Sequence, residues 1–170
     1  MKKNLLLLLI IIIGMSSCKW ENKADYTPVI TLSRQFLIVH SDTTIATDTL
    51  YVGHSAVSGM DTVSTGRVGD TIVFRVGLFG TANNLLSFDM AWDSTLVQFM
   101  DLDAASTANV ISATTHEAGH LRYAFYPGYL SVIMSMRYVA IGAGNNTFNL
   151  LLNTDSEFSP ASYKFQQVIK

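Results

Sequence analysis

The stretch Thr71-Ile72-Val73-Phe74-Arg75-Val76-Gly77-Leu78 decides the fold class of this chain. Every second residue from Ile72 to Leu78 is a large apolar one, and these residues alternate with Thr71, Val73, Arg75 and Gly77. A period of two residues is typical of a β-strand that buries one face and exposes the other. The stretch therefore predicts a half-buried strand.

The same kind of pattern continues on both sides of this strand. Residues 86–92 alternate in the same way, and turn residues such as Pro127-Gly128 separate the β-prone runs. The other runs lie at 29–32, 36–39, 49–52, 96–100, 121–126, 130–139, 147–152 and 163–169. About nine short strands without a long helical pattern predict an all-β fold, an antiparallel β-sandwich.

Length and charge narrow the classes of function. The chain has 170 residues, with 11 Lys+Arg against 13 Asp+Glu and a net charge of −2. That length suits one domain, which we place at residues 29–170. Because binding to DNA or RNA normally requires a basic patch, the charge balance argues against a nucleic-acid partner.

The N-terminal residues have the layout of an export signal. Lys2 and Lys3 precede an apolar run at residues 5–13, and small residues lead up to Cys18, the single cysteine of the chain. A transmembrane helix needs about 20 apolar residues, so this run is too short to span a membrane as a mature anchor. Residues 15–18, Met-Ser-Ser-Cys, resemble the lipobox of bacterial lipoproteins.

The lipobox resemblance implies a signal peptide at residues 1–17 and acylation of Cys18, for example with palmitate. The polar residues 18–28 would then form a lipidated tether, and the membrane would be a partner through the lipid anchor. Lys19 follows the cysteine in place of Asp, which in the known sorting rule favours the outer membrane. The domain would face the periplasm or the cell surface. An acylated Cys18 leaves no disulfide.

Three groups of motifs resemble the cohesin-like sandwich, which related carbohydrate-binding modules also use. Gly69-Asp70 opens a strand, residues 88–96 read Phe-Asp-Met-Ala-Trp-Asp-Ser-Thr-Leu, and a glycine-rich hairpin lies at residues 142–146. The resemblance covers residues 68–152 and implies a cohesin-like antiparallel sandwich. The strands before Gly69 do not fit the family pattern, and no dockerin-like segment is present, so a role in a cellulosome is not implied.

His116-Glu117-Ala118-Gly119-His120 matches the H-E-x-x-H motif of zinc peptidases. In those enzymes a helix places both histidines on one face to bind zinc, and the glutamate polarises the bound water. The surrounding residues do not have a helical pattern, and Tyr123 and Tyr126 stand where one subfamily carries Gly and His. Glu157, the remaining candidate for a third ligand, lies in a serine-rich turn. We expect a polar hairpin with two exposed histidines, and keep a zinc peptidase as an alternative.

Two other groups suggest binding. Four aspartates, Asp89, Asp93, Asp101 and Asp103, would converge on Ca²⁺ if they met at one end of the sandwich, although solvated loop carboxylates are the simpler interpretation. Tyr123, Tyr126, Tyr129 and Tyr138 belong to the densest aromatic cluster, and exposed rings suit the stacking of sugars. Alternation along the strand places part of this aromatic set in the core.

The sequence contains no cofactor fingerprint: neither a phosphate-binding loop, a dinucleotide motif nor a G-x-S-x-G nucleophile motif is present. We therefore predict a non-catalytic envelope lipoprotein that binds a glycan or a partner protein. The alternatives are the zinc peptidase and a structural subunit that pairs through an exposed strand edge.

Overall fold

A computed structural model describes residues 26–40, 47–54, 59–102 and 108–170. Within these ranges the chain forms twelve β-strands and no helix, and therefore contains no helix that could span a membrane. The strands are β1 Val29–Leu32, β2 Gln35–Val39, β3 Thr47–His54, β4 Asp61–Gly66, β5 Thr71–Phe79, β6 Leu85–Ala91, β7 Val97–Met100, β8 Ile111–Glu117, β9 His120–Phe125, β10 Ser131–Ala140, β11 Gly144–Thr154 and β12 Ala161–Ile169.

The strands form one curled sheet that folds into two layers. Layer 1 has the order β7-β10-β5-β2-β3, with β1 pairing beside β2 on the same edge of β5. Layer 2 has the order β3-β4-β12-β11-β6-β9-β8. Strand β3 belongs to both layers, because its first half pairs with β2 and its second half with β4.

The all-β sandwich predicted from the alternating pattern is confirmed, with two differences. The described residues contain twelve strands, where about nine were expected; β4 and β8 lie in segments without a predicted strand. Both are rich in Ser and Thr, and β8 is an edge strand exposed along most of its length, so neither has an alternating apolar pattern. In addition, β12 pairs with β4 in parallel, so the sheet is mixed.

Aromatic side chains from both layers fill the core. Phe36 and Phe74 of layer 1 stack on each other, and both rings meet Phe165 of layer 2 edge to face at 5.7 Å. Phe148 of layer 2 stacks on Phe165 at 4.6 Å. Because offset and edge-to-face ring pairs add to the free energy gained by burial, this cluster holds the two layers together.

Asp70 organises the turn from β4 into β5. Its side chain is buried, one carboxylate oxygen accepts the backbone N–H of Arg67 at 2.9 Å, and the other lies 3.0 Å from Nδ1 of His40. Gly69 has a φ of 93°, a conformation that glycine adopts without a steric penalty. The Gly69-Asp70 pair therefore has a local structural role.

Candidate functional site

The His116–His120 segment is a β-hairpin. His116 and Glu117 end β8, Ala118 and Gly119 form the turn, and His120 begins β9. Gly119 has a φ of 80°, and a Cβ atom there would lie 2.9 Å from the carbonyl oxygen of Trp92. The predicted hairpin is therefore present, within a longer pair of strands than expected.

The hairpin places the two histidines on opposite faces of layer 2. His116 pairs with the buried Leu121, and its ring packs inward at 6.0 Å from Trp92. His120 pairs with Glu117 and lies on the outward face. Since a zinc peptidase needs both imidazoles on one face of a helix, this geometry removes the basis of the peptidase alternative.

We expect that one equivalent of Zn²⁺ will leave the thermal midpoint of the domain unchanged. Two imidazoles on opposite faces cannot bind one ion, and only a ligand that binds the native state raises its stability. Thermal unfolding with and without zinc, beside far-UV circular dichroism of His116→Ala, checks this. Stoichiometric zinc that disappears in the variant, together with a helical spectrum, would contradict the hairpin.

The predicted tyrosine platform is divided between core and surface. Tyr123 and Tyr138 are buried, so their assignment as binding residues is wrong: rings inside the core cannot stack on a ligand. Burial raises the pKa of Tyr123 to about 12. Tyr126, with 45 % of its surface exposed, and the half-buried Tyr129 remain accessible at the turn after β9. The hydroxyl of Tyr129 donates to the carbonyl oxygen of Asn109 at 2.6 Å.

The described aspartates do not form a calcium site. Asp101 lies 2.7 Å from Nδ1 of His116, Asp93 accepts hydrogen bonds from Thr95, and Asp89 lies on the outward face of β6. Within the described ranges, no three His, Cys, Asp or Glu side chains group around a common point. Asp103 and the predicted lipidation residue Cys18 lie outside the described residues.

The outward face of layer 2 carries a groove of about 730 Å³. Three rows of paired residues form it across β9, β6, β11 and β12. These rows are His120, Ala91, Asn149 and Lys164; Arg122, Asp89, Leu151 and Ser162; and Ala124, Ser87 and Asn153. The two middle strands contribute Ala91, Ser87, Asn149 and Asn153 together with Asp89 and Leu151, and the two side strands contribute the long cationic residues Arg122 and Lys164. Neighbouring strands lie about 4.8 Å apart, so β9 and β12 bound a groove about 14 Å wide.

Asp89 fixes the floor of this groove. One of its carboxylate oxygens accepts hydrogen bonds from Ser87 and from the Asn153 amide, each at 3.3 Å. Its other oxygen lies 3.4 Å from Nε2 of His120 and 3.8 Å from the Arg122 guanidinium. Arg122 is thus loosely paired, and 55 % of its side chain is exposed. Most of its donors are free to bind a ligand.

Ser87, Asp89 and His120 are the residue types of a hydrolytic triad, but they are connected in the wrong order. A nucleophilic serine must hydrogen-bond to the histidine that accepts its proton. Here the Ser87 hydroxyl donates to Asp89, and among the described residues the groove holds no Ser87–His120 hydrogen bond. This order of hydrogen bonds positions polar groups and does not activate the Ser87 hydroxyl as a nucleophile.

A second polar cluster, His54, Asp61 and Tyr163, joins β3, β4 and β12. The Tyr163 hydroxyl donates to Asp61, whose other oxygen lies 3.0 Å from Nδ1 of His54. The hydrogen bond from Tyr163 and the neighbouring imidazole lower the pKa of Asp61. Burial and the adjacent carboxylate raise the pKa of Tyr163. The cluster therefore links the side chains of β3, β4 and β12 in layer 2.

We expect Asp61→Asn to lower stability at about pH 7, and by progressively less as the pH is lowered from there to about 2. A carboxyl whose pKa is lower in the folded state stabilises the fold above its unfolded pKa. That contribution disappears as the pH falls through the folded pKa. Both partners reach solvent, so the effect is below about 1 kcal/mol. Urea unfolding over this pH range measures it, with the exposed Glu157→Gln as control. If Asp61→Asn lowers the free energy of unfolding by the same amount in acid as at pH 7, the lowered pKa of Asp61 does not contribute to stability.

The groove was not predicted from the sequence, although one signal for it was present. Alternation in residues 86–92 places Ser87, Asp89 and Ala91 together on the face opposite the buried residues. That pattern does not show which strands lie beside β6. The contributions of Arg122, Asn149 and Lys164 depend on pairing with β9, β11 and β12.

No protein-family model matches the sequence, and no curated protein matches it significantly. Among solved structures, it is similar to the cohesin chain of the CaDoc0917–CaCohA2 complex, with 16 % identity, 71 % of this chain and 98 % of that chain covered, and a TM-score of 0.45.

Two further solved structures are similar at comparable levels. One is a non-cellulosomal cohesin from the archaeon Archaeoglobus fulgidus, at 12 % identity over 71 % of this chain and 89 % of that one, with a TM-score of 0.39. The other is the C-terminal domain of the Streptococcus agalactiae polypeptide BspA, at 9 % identity with a TM-score of 0.49; the match covers 84 % of this chain but only 50 % of that one. At these TM-scores the function must be argued from the surface of this chain itself.

Proposed function

We propose that this chain is a non-catalytic binding module of the bacterial cell envelope, anchored through acylated Cys18, that holds its ligand in the groove of layer 2. The observation that carries the proposal is the arrangement of the groove. Cationic side chains, Arg122 and Lys164, stand on opposite sides of a floor of mostly small and amide side chains, in which Asp89 is the one carboxylate of the described lining. Such a surface suits an extended ligand that bears carboxylates.

The composition of the groove favours a polypeptide segment over a neutral glycan. Its described lining contains no Phe, Tyr or Trp ring on which a sugar would stack. Asn149 and Asn153 offer both donors and acceptors, which matches a peptide backbone as well as it matches hydroxyl groups. The exposed Tyr126 lies on the turn after β9, beyond the rows of the groove.

Titration of poly-L-glutamate into the purified protein tests the groove. We expect Arg122→Gln to weaken binding by about tenfold or more, since a hydrogen bond to a charged group contributes about 1.5–3 kcal/mol. Lys170→Gln, at an exposed position after the end of β12 and outside the groove, is the charge-matched control and should bind like the wild type. Polygalacturonate and dextran are the glycan probes. Equal binding of dextran, or equal loss in both variants, would overturn the assignment.

The lipid anchor is tested separately. Expressed in a Gram-negative host, the wild-type chain should incorporate labelled palmitate and fractionate with the outer membrane, whereas Cys18→Ala should do neither. An unlabelled wild-type protein in the soluble fraction would refute the anchor and leave the groove untouched.

A further inference from the structure

We propose that the outward face of layer 1 rests on an anionic lipid bilayer and turns the groove of layer 2 away from the membrane. This docking rests on the proposed lipid anchor at Cys18. We call this surface the apolar face. Its exposed apolar side chains are Val29, Leu37, Val39, Tyr51, Met100 and Ile133.

The exposure of these side chains is unusual for a solvated sheet. Ile133 is 68 % exposed and Tyr51 60 %, although both lie on strands, where an outward face in water normally carries polar residues. Register places Leu37, Val73, Arg137 and Met100 side by side across β2, β5, β10 and β7. The exposed apolar residues therefore share one face, and such patches mark contacts with proteins or membranes.

The charges on the apolar face are complementary to anionic lipid. Arg75 and Arg137 point outward from β5 and β10 between the apolar residues. Strands β1, β2, β5, β7 and β10 contain no Asp or Glu, and Asp101, which directly follows β7, is the one carboxylate lining the surface beside Ile133 and Arg137 among the described residues. The mature chain without Lys2 and Lys3 would hold 9 basic and 13 acidic residues, a net charge of −4. A basic face on an acidic protein is what attraction to a negative surface requires.

The chain enters the sandwich at one end, beside loops of both layers, and continues into layer 1. Tyr26 is held by hydrogen bonds with Asn83 at 3.3 Å and Ser156 at 2.9 Å, and Val29 then begins β1 in layer 1. Tyr26 is eight positions after Cys18, so Cys18 lies within about 29 Å of this point. Val29 pairs with Phe79, whose other partner, Ser131, is two residues before Ile133. Strand spacing places Ile133 about 12 Å from Val29. The tether is therefore long enough for the apolar face to reach the bilayer that holds the acyl chains.

A fluorescent probe attached to the lipidated full-length protein in vesicles tests the docking. The chain has one cysteine, Cys18, whose thiol is acylated, so Ile133→Cys supplies a single reactive thiol for an environment-sensitive dye. Ser162→Cys, in the groove of layer 2, is the matched control. In vesicles of equal parts phosphatidylcholine and phosphatidylglycerol, we expect brominated lipid to quench the dye at position 133 and not the dye at position 162.

The charge contribution is tested in the same vesicles. Each arginine near an anionic surface should shift the ratio of docked to undocked protein by about fivefold. Quenching at position 133 should therefore fall when Arg75→Gln/Arg137→Gln is added to labelled Ile133→Cys, and fall likewise for labelled Ile133→Cys alone in vesicles of pure phosphatidylcholine. Arg122→Gln, on the opposite layer, should leave it unchanged.

Each other outcome overturns the inference in a distinguishable way. Protein that floats with the vesicles while neither dye is quenched would refute the apolar face and leave the anchor standing. Protein that does not float would refute the anchor and the docking with it. If the dye at position 133 becomes protected from solvent without vesicles as the protein concentration rises, the apolar face binds a second copy of the chain.

Discussion

Phe74→Ala should destabilise the domain by about 3–5 kcal/mol, the largest effect that we expect from truncating a single side chain. Phe74 is buried at the centre of the aromatic cluster. Its ring lies between 4.9 and 6.4 Å from five others, those of Phe36, Phe99, Tyr138, Phe148 and Phe165. Truncation removes contacts to both layers at once and leaves a cavity that rigid strands cannot collapse to fill.

Urea unfolding followed by intrinsic fluorescence measures the change. Phe158→Ala is the matched control, because the same chemical change is made where 52 % of the side chain is exposed, and it should shift stability by less than about 0.5 kcal/mol. If both variants lose a similar amount of stability, the aromatic cluster does not hold the two layers together.

Tyr138→Phe should lower the free energy of unfolding by about 1–3 kcal/mol, although it removes a single oxygen atom. The Tyr138 hydroxyl, on β10 of layer 1, donates to the side-chain oxygen of Gln167, on β12 of layer 2. Gln167 is fully buried, and its Nε2 atom has no hydrogen-bond partner among the described residues. Removing the hydroxyl therefore leaves the whole amide without a hydrogen bond in the core, and a buried unpaired polar group is costly.

The double variant Tyr138→Phe/Gln167→Met separates this cause from a loss of packing. Replacing both partners with apolar groups of similar shape removes the unpaired amide, so the double variant should be more stable than Tyr138→Phe alone. Chemical denaturation of the wild type, both single variants and the double variant completes the cycle. Additive losses would show that the two side chains are not coupled.

How far the sequence predicts the fold can be judged from individual strands. Strand β5 was predicted at residues 71–78 because Ile72, Phe74, Val76 and Leu78 alternate with outward residues, and it spans Thr71–Phe79. Strand β8, Ile-Ser-Ala-Thr-Thr-His-Glu, was not predicted, because an exposed edge strand buries neither face and therefore needs no apolar alternation. A strand can thus be predicted from the sequence when one of its faces is buried, because burial requires the alternating apolar pattern.

The candidate sites follow a similar rule. The sequence indicated the hairpin at His116–His120, because the residues after it alternate and those before it lack the apolar face of a helix. It could not separate Tyr138, a core residue, from Tyr126, a surface residue, because both stand in strongly aromatic surroundings. Which ring faces the core depends on the layer that packs against each strand.

The sequence by itself determined the all-β class of this protein, through a two-residue period that only a half-buried strand satisfies. It also provided the prediction of a lipid anchor at Cys18, a matter of local residue order. Only the tertiary structure decided which strands are neighbours. It brings Arg122, Asp89 and Lys164, distant in the chain, onto one face, and Leu37, Arg137 and Ile133 onto the other. The physical reason is that alternation fixes the face on which a side chain lies, whereas pairing between strands, which joins residues far apart in the chain, fixes the side chains beside it.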